Sequence, residues 1–150
     1  MKTIFTIGFT KKTAEEFFTL LEENSVSEVV DVRRHNTSQL AGFTKPKDLR
    51  FFLNRICNIS YRHDKNLSPN LKLLRAYRKN EIDWLEYEIQ FLTLMEELNS
   101  SKYILKNFSD ADRICFLCSE PTPETCHRRI VAELVQAVFR ETEDVKIIHL

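Results

Sequence analysis

Residues 2–7 alternate in polarity and are rich in β-branched and aromatic side chains, which predicts a first strand closed by Gly8. Thr13 and Glu16 form a capping-box pair, and Ala14, Phe17, Phe18 and Leu21 then share one helical face. Residues 28–32 predict a second strand, carried by Val29, Val30 and Val32. Residues 33–45 show no period and read as a long loop, a feature often tied to function in compact domains. Pro46 suits a helix start, and Leu49, Phe52, Leu53 and Ile56 form a stripe behind it. A third short strand is expected over residues 58–62, and Ser68-Pro69 opens a short helix reaching about Lys79. A long helix over residues 81–99 presents Trp84, Tyr87, Phe91, Leu94, Met95 and Leu98, whose spacing fits core packing better than a stacking platform for bases. Residues 103–108 add a helical turn or two. Residues 113–117 make the most apolar strand; a polar loop, residues 119–125, then leads to a helix with Ile130, Val131, Leu134, Val135 and Val138 inside. Residues 145–149 close the chain as a strand.

This order of elements, without repeats or linkers, predicts a single α/β domain over residues 1–150. It is expected to be three-layered, with a mostly parallel sheet of about five strands and helices on both faces. The 150-residue length, with 43% hydrophobic and 29% charged residues, suits one core, and the presence of only 2 glycines fits long helices with few tight turns. Lys plus Arg and Asp plus Glu both number 22, and zero net charge argues against strong non-specific nucleic-acid binding. Arg33-Arg34 and Arg128-Arg129 remain as local basic patches. No secretory leader and no membrane-spanning apolar run is evident, so a soluble cytoplasmic protein is expected, with no membrane partner. Its 4 cysteines are then expected as thiols unless they bind metal or act in redox chemistry.

Ligands of open α/β sheets bind beyond the carboxyl ends of the strands. The predicted strand ends lead to Gly8-Phe9-Thr10, to Asp31 through Arg34, to His63-Asp64-Lys65, to Cys118-Ser119-Glu120 and to His149. Cys118 and the helix start at Cys126-His127-Arg128-Arg129 are the most informative. A helix N-terminus and a guanidinium both stabilise a thiolate, and they also bind phosphate, sulfate or carboxylate. Cys118 is thus either a nucleophile or a small buried hydrophobe. Cys115 should face the other side of the sheet. Cys118, Glu120, Cys126 and His127 are all residue types that zinc accepts, but their spacing lacks a paired knuckle. Asp31 reads as a structural ion-pair partner for a neighbouring arginine or as a general base. His63 reads as solvated, and His149 as either site-facing or terminal.

Several segments resemble the domain-of-unknown-function family DUF488. They are Thr6-Ile7-Gly8-Phe9-Thr10, Glu16-Phe17, Leu20-Leu21, Val30-Asp31-Val32-Arg33-Arg34, Ser38, Tyr61-Arg62-His63, Leu117-Cys118-Ser119-Glu120, Cys126-His127-Arg128-Arg129 and the closing Ile147–Leu150 stretch. The C-x-E and C-H-R pair is the most distinctive. Phe9 stands where that family usually has histidine, and Leu67-Ser68-Pro69 where it often has leucine-glycine-glycine. The resemblance implies the fold and the place of the site, and no settled activity. A weaker, architectural likeness is to rhodanese-type sulfurtransferases and cysteine phosphatases, although here 9 residues separate Cys118 from Arg128.

The favoured functional expectation is a domain that binds or processes a small anionic or nucleotide-like ligand. Cys118, Glu120 and Asp31 are the catalytic candidates. Gly8, Thr10, Arg33, Arg34, Cys126, His127 and Arg128 are the ligand-binding candidates, with Arg128 and Arg33 as anion clamps. A non-enzymatic nucleic-acid module using Arg33, Arg34, Arg128 and Arg129 is the alternative. A zinc-pinned loop at Cys118, Cys126 and His127 is a further one. Substrate, reaction and oligomeric state are not legible in the sequence.

Overall fold

The computed structural model describes residues 1–37 and 41–150, so Ser38 lies outside the described residues. The elements run β1 (Lys2–Gly8), α1 (Ala14–Glu23), β2 (Glu28–Asp31), α2 (Pro46–Cys57), β3 (Ser60–His63), α3 (Leu71–Arg78), α4 (Trp84–Glu97), α5 (Ser100–Phe108), β4 (Arg113–Cys118), α6 (His127–Phe139) and β5 (Val145–His149). Short 3-10 turns occupy Gly42–Thr44 and Lys65–Leu67.

The strands form one sheet in the order β3-β2-β4-β1-β5, and every neighbouring pair is parallel. Side chains alternate across it. Ile4, Val30, Ile114 and Phe116 pack against Leu73, Phe91, Met95, Ile104, Phe108 and Val131 of α3 to α6. Phe5, Ile7, Val29, Cys115 and Leu117 pack against Phe17, Leu21, Leu49 and Leu53 of α1 and α2. The molecule is therefore a three-layer α/β fold. With both faces covered, β4 is a continuous apolar run rather than an alternating one. β1 lies between β4 and β5 and is buried over its whole length. Even Lys2 is buried there: its ammonium donates to the carbonyls of Phe108 (3.0 Å), Ser109 (3.2 Å) and Ala111.

Several boundaries differ from the sequence reading, each for a local reason. α3 starts at Leu71, not at Ser68-Pro69, because the Asn70 side chain caps it by accepting from the Leu73 amide at 2.8 Å. The Ser68 hydroxyl is turned instead onto the Val32 carbonyl at 2.8 Å. β3 cannot start at residue 58, since Asn58 closes α2 in the left-handed conformation at φ 53°. The long helix is shorter than expected. Asp83 caps its start, and Asn99, left-handed at φ 53°, separates it from a full helix, α5, where only a turn or two was expected.

The capping box at α1 is present: the Glu16 amide donates to Thr13 Oγ1 at 3.1 Å, and the Thr13 amide donates to Glu16 Oε2 at 2.7 Å. Thr13→Ala is expected to cost about 1 kcal/mol, measured as a lower urea midpoint at unchanged slope.

Candidate functional site

β4 delivers Cys118 to the carboxyl edge of the sheet, in register with Gly8 of β1. The chain returns through residues 119–125 and enters α6, with Cys126 as the residue preceding the first turn. Cys118, Cys126, His127 and Arg128 are all buried, Arg128 completely. The two sulfurs and an imidazole nitrogen lie within 4.8 Å of one another.

The His127 ring is fixed by the sheet. Its Nε2 lies 2.8 Å from the Val32 carbonyl. A carbonyl oxygen only accepts, so Nε2 carries the proton and donates. The Cys118 sulfur stands 3.7 Å from Nδ1 and 4.0 Å from Nε2. Near-equal distances put it over the ring, because a sulfur on the Nδ1 lone-pair axis would be much farther from Nε2. The same geometry tests a metal. A zinc ion on the Nδ1 lone pair, with Cys118 as a tetrahedral co-ligand, would also hold that sulfur distinctly farther from Nε2. The three donors are close, but Cys118 sits nearer the face of the His127 ring than a co-ligand of a metal on Nδ1 would.

The thiols are not equivalent. The Cys118 pKa is lowered, chiefly by a hydrogen bond from the Cys126 thiol, against the opposing effect of burial. The Ser119 amide and the charge of Arg128 lower it further, while Asp31 raises it. The Cys126 pKa is correspondingly raised, first by its bond to Cys118 and then by burial and the Cys118 charge. Burial pushes Cys115 up on the opposite face of the sheet. Burial also pushes Cys57 up to about 11, with Glu22 adding to the effect.

Arg128 does not meet solvent as an anion clamp would. Its guanidinium is buried, donating from Nη1 to the Glu120 carbonyl and, at 3.7 Å, to the Cys126 sulfur. Its Nε and Nη2 have no hydrogen-bond partner, and no carboxylate of the described residues pairs with it. Gly8 is packed against this pair rather than held open for a ligand: a Cβ there would lie 1.7 Å from the Glu120 carbonyl oxygen and 2.7 Å from Arg128 Nη1.

Arg33 is likewise engaged. Its Nε and Nη2 donate to Asp31 at 2.8 and 2.7 Å, and Nη2 also reaches the Thr44 carbonyl at 2.7 Å. Asp31 further accepts from the Arg33 amide, Asn36 and Tyr61. A carboxylate so enclosed holds the loop together and has no free face for proton abstraction. Phe9, at the position of the expected histidine, is buried with the Arg33 guanidinium over its ring at 5.2 Å.

A cavity of about 120 Å³ opens beside Cys118. Arg34, His35, Ser119, Glu120, Cys126 and His127 line it from the strand-end side, and Leu74, Tyr77, Arg78, Trp84 and Tyr87 line it from α3 and α4. The Arg34 and Arg78 side chains have no hydrogen bond or ion pair with described residues and are its available cations. Glu120 stands exposed at the mouth, its side chain unpartnered among the described residues. Thr10 is exposed and does not line the cavity; its amide donates to the Ser119 carbonyl at 3.2 Å. His63 Nε2 donates to the Arg33 carbonyl, 2.7 Å away, and His149 pairs with the Thr6 hydroxyl at 2.7 Å. The contribution of Tyr77, Arg78, Trp84 and Tyr87 was not anticipated. One available signal was that Trp and Tyr keep a polar atom which a fully apolar core would strand.

The arginines of the basic patches are mostly engaged within the protein. Arg33 and Arg128 are buried, and Arg129 is held by Glu88 at 2.7 Å and Glu133 at 2.9 Å. Arg33 and Arg34 both line the cavity, but the Arg33 guanidinium is held by Asp31 and Thr44. Among the described residues, no helix is long and apolar enough to cross a membrane.

Fold and site together define an all-parallel α/β protein with a buried Cys–Cys–His–Arg cluster at the carboxyl edge of its sheet. The sequence model described as "Domain of unknown function DUF488" matches residues 13–135, and the chain belongs to that family. The matched span holds Asp31, Cys118 and Cys126-His127-Arg128, while β1 and β5 fall outside it. Comparison with curated proteins and with solved structures gives no match.

Proposed function

We propose that this protein is a thiol-dependent enzyme acting on a small anionic substrate, with Cys118 as the thiolate nucleophile. The observation that carries this reading is the buried Arg128 guanidinium with no carboxylate partner among the described residues. An unpaired buried charge is costly, and the neighbouring Cys118 thiolate supplies the missing anion. The Ser119 amide and the Cys126 thiol hold the same sulfur in its charged form. Arg34 and Arg78 draw an anion into the cavity, and its roughly 120 Å³ favours a small anion over a whole nucleotide. In the reaction the Cys118 sulfur forms the new bond to the electrophilic centre, and the leaving group departs with its bonding electrons. His127 fixes the geometry beneath the sulfur, and the Glu120 carbonyl holds Arg128.

Alkylation of the folded protein with iodoacetamide across a pH series, read by peptide mass spectrometry, tests this. Cys118 is expected to react with a midpoint below the free-thiol value of about 8.5, while Cys57, Cys115 and Cys126 lag. The sign follows from linkage. A depressed folded pKa gives stability that is fully present above the unfolded pKa and is lost as pH falls through the folded one. Thermal stability should therefore drop over the same pH window in which Cys118 loses its reactivity. A Cys118 that stays inert until the chain unfolds removes the nucleophile reading.

A further inference from the structure

We infer that Cys118 and Cys126 are a dithiol redox pair, in which hydrogen peroxide oxidises Cys118 and Cys126 resolves the product as an intramolecular disulfide. This rests on the reading of Cys118 as a thiolate lining the cavity and extends it to a specific co-reactant and a second catalytic thiol.

Three observations place the pair. Its sulfurs lie within 4.8 Å and both residues line the same cavity. The other thiols are elsewhere: Cys115 points to the α1–α2 face and Cys57 closes α2 on that side. A cavity of about 120 Å³ admits a peroxide but not a peptide disulfide such as oxidised glutathione. Closing the bond to about 2.05 Å requires rotation at both cysteines. Cys118 ends a strand, and Cys126 precedes a helix behind a loop that is mostly exposed or half-buried, so residues 119–125 are the part of the chain that can follow.

The chemistry balances in two steps. The Cys118 thiolate attacks one peroxide oxygen, the O–O bond breaks, and hydroxide leaves with the bonding pair and is protonated to water, giving a sulfenic acid. The Cys126 sulfur then attacks the Cys118 sulfur, forming the S–S bond and expelling the sulfenic oxygen as a second water. Two thiols are oxidised and one peroxide is reduced to two waters. An external dithiol restores the pair by exchange.

The charge arrangement orders these steps. In the resting state Cys126 is held protonated because the Cys118 thiolate accepts its hydrogen bond and repels a second negative charge. Conversion of Cys118 to an uncharged sulfenic acid removes the thiolate as a charge and as a charged acceptor, while burial still opposes a charge on Cys126. The influences that remain on Cys126 from its neighbours His127 and Arg128 both favour its thiolate, and Arg128 Nη1 already stands 3.7 Å from that sulfur. The first oxidation therefore removes the largest restraint on ionisation of the resolving thiol.

Wild type, Cys126→Ser and Cys118→Ser are treated with stoichiometric hydrogen peroxide, with and without the sulfenic-acid probe dimedone. Samples are quenched with N-ethylmaleimide and mapped by peptide mass spectrometry. Wild type is expected to give a Cys118–Cys126 disulfide that dithiothreitol reverses. Cys126→Ser should accumulate the dimedone adduct at Cys118 on the order of tenfold above wild type, and Cys118→Ser should give neither product. Wild type that stops at sulfenic or sulfinic acid on Cys118 without a cross-link overturns the pairing and leaves the thiolate reading intact. A wild-type Cys118 untouched by both peroxide and iodoacetamide overturns both.

Discussion

Asp31→Ala is expected to destabilise the protein by about 3–5 kcal/mol, the cost of leaving a buried charge without its partner. Asp31 is fully buried and Arg33 is 3% exposed, so water cannot replace the lost carboxylate without opening the loop. The substitution strips Arg33 of its Nε and Nη2 contacts to Asp31, leaving the Thr44 carbonyl at 2.7 Å and the Thr44 hydroxyl at 3.4 Å. Tyr61, which donates to Asp31 at 2.7 Å, loses its acceptor as well. Urea denaturation measures the loss, and a change under 1 kcal/mol would show that the network adds little. Asp31→Asn, which keeps the shape and one acceptor oxygen, should lose less. A second readout separates a structural carboxylate from a catalytic base. Asp31 raises the Cys118 pKa, so neutralising it should move the Cys118 alkylation midpoint down and make the thiol more reactive at low pH. Loss of Cys118 reactivity in folded Asp31→Asn would contradict the structural role.

The sequence was informative wherever the controlling interaction is local. Thr13 and Glu16 announce their capping box within a single turn, and a strand period places Cys115 and the Cys118 side chain on opposite faces. Strand ends were legible to within a residue or two, which is why Asp31, Cys118 and Cys126 were expected near one edge. Boundaries set by a backbone angle were not, as at Asn58 and Asn99, where nothing in the hydrophobic pattern signals a left-handed residue. The roles of the arginines were misassigned for a different reason. A basic residue at a strand end or helix start reads as a clamp whether its guanidinium turns outward or inward. Arg33 turns onto Asp31 and Arg128 turns under the Cys126 loop, a choice fixed by packing with Phe9, Gly8 and Glu120. Trp84 and Tyr87 teach the converse. Helical spacing reports which face of α4 is inward, but not whether the space facing it is filled with atoms or left as a cavity.

The site thereby divides into a rigid part and a chemical part. Arg33, Asp31, Asn36, Tyr61 and Thr44 tie the long loop to β2 and β3 and expose no free acid or base. Their effect on the cavity is positional: with Arg33 spent internally, the neighbouring Arg34 is left facing the cavity. Arg128 belongs to the chemical part although it meets no solvent, since its charge acts on both thiols and its Nη1 donates to the Cys126 sulfur.

Gly8→Ala tests that division, because it attacks Arg128 without changing a titrating group. The added methyl would stand 1.7 Å from the Glu120 carbonyl oxygen and 2.8 Å from its carbon. These are backbone atoms that no side-chain rotation can move, so residues 119–120 must shift. The Arg128 bond to that carbonyl is then broken or bent, in a guanidinium whose Nε and Nη2 already lack partners. Overpacking together with a lost charged hydrogen bond sums to roughly 3–5 kcal/mol of destabilisation, read by urea denaturation. The same shift displaces the Ser119 amide, and both it and Arg128 hold the Cys118 pKa down. The alkylation midpoint of Cys118 should therefore rise in the folded variant. Gly8→Ala that keeps both the wild-type urea midpoint and the wild-type Cys118 profile would mean that the loop yields freely and that Arg128 is not what charges the thiol. A variant that loses stability but keeps the profile would confine Gly8 to packing and leave the Cys126 thiol as the main support of the thiolate.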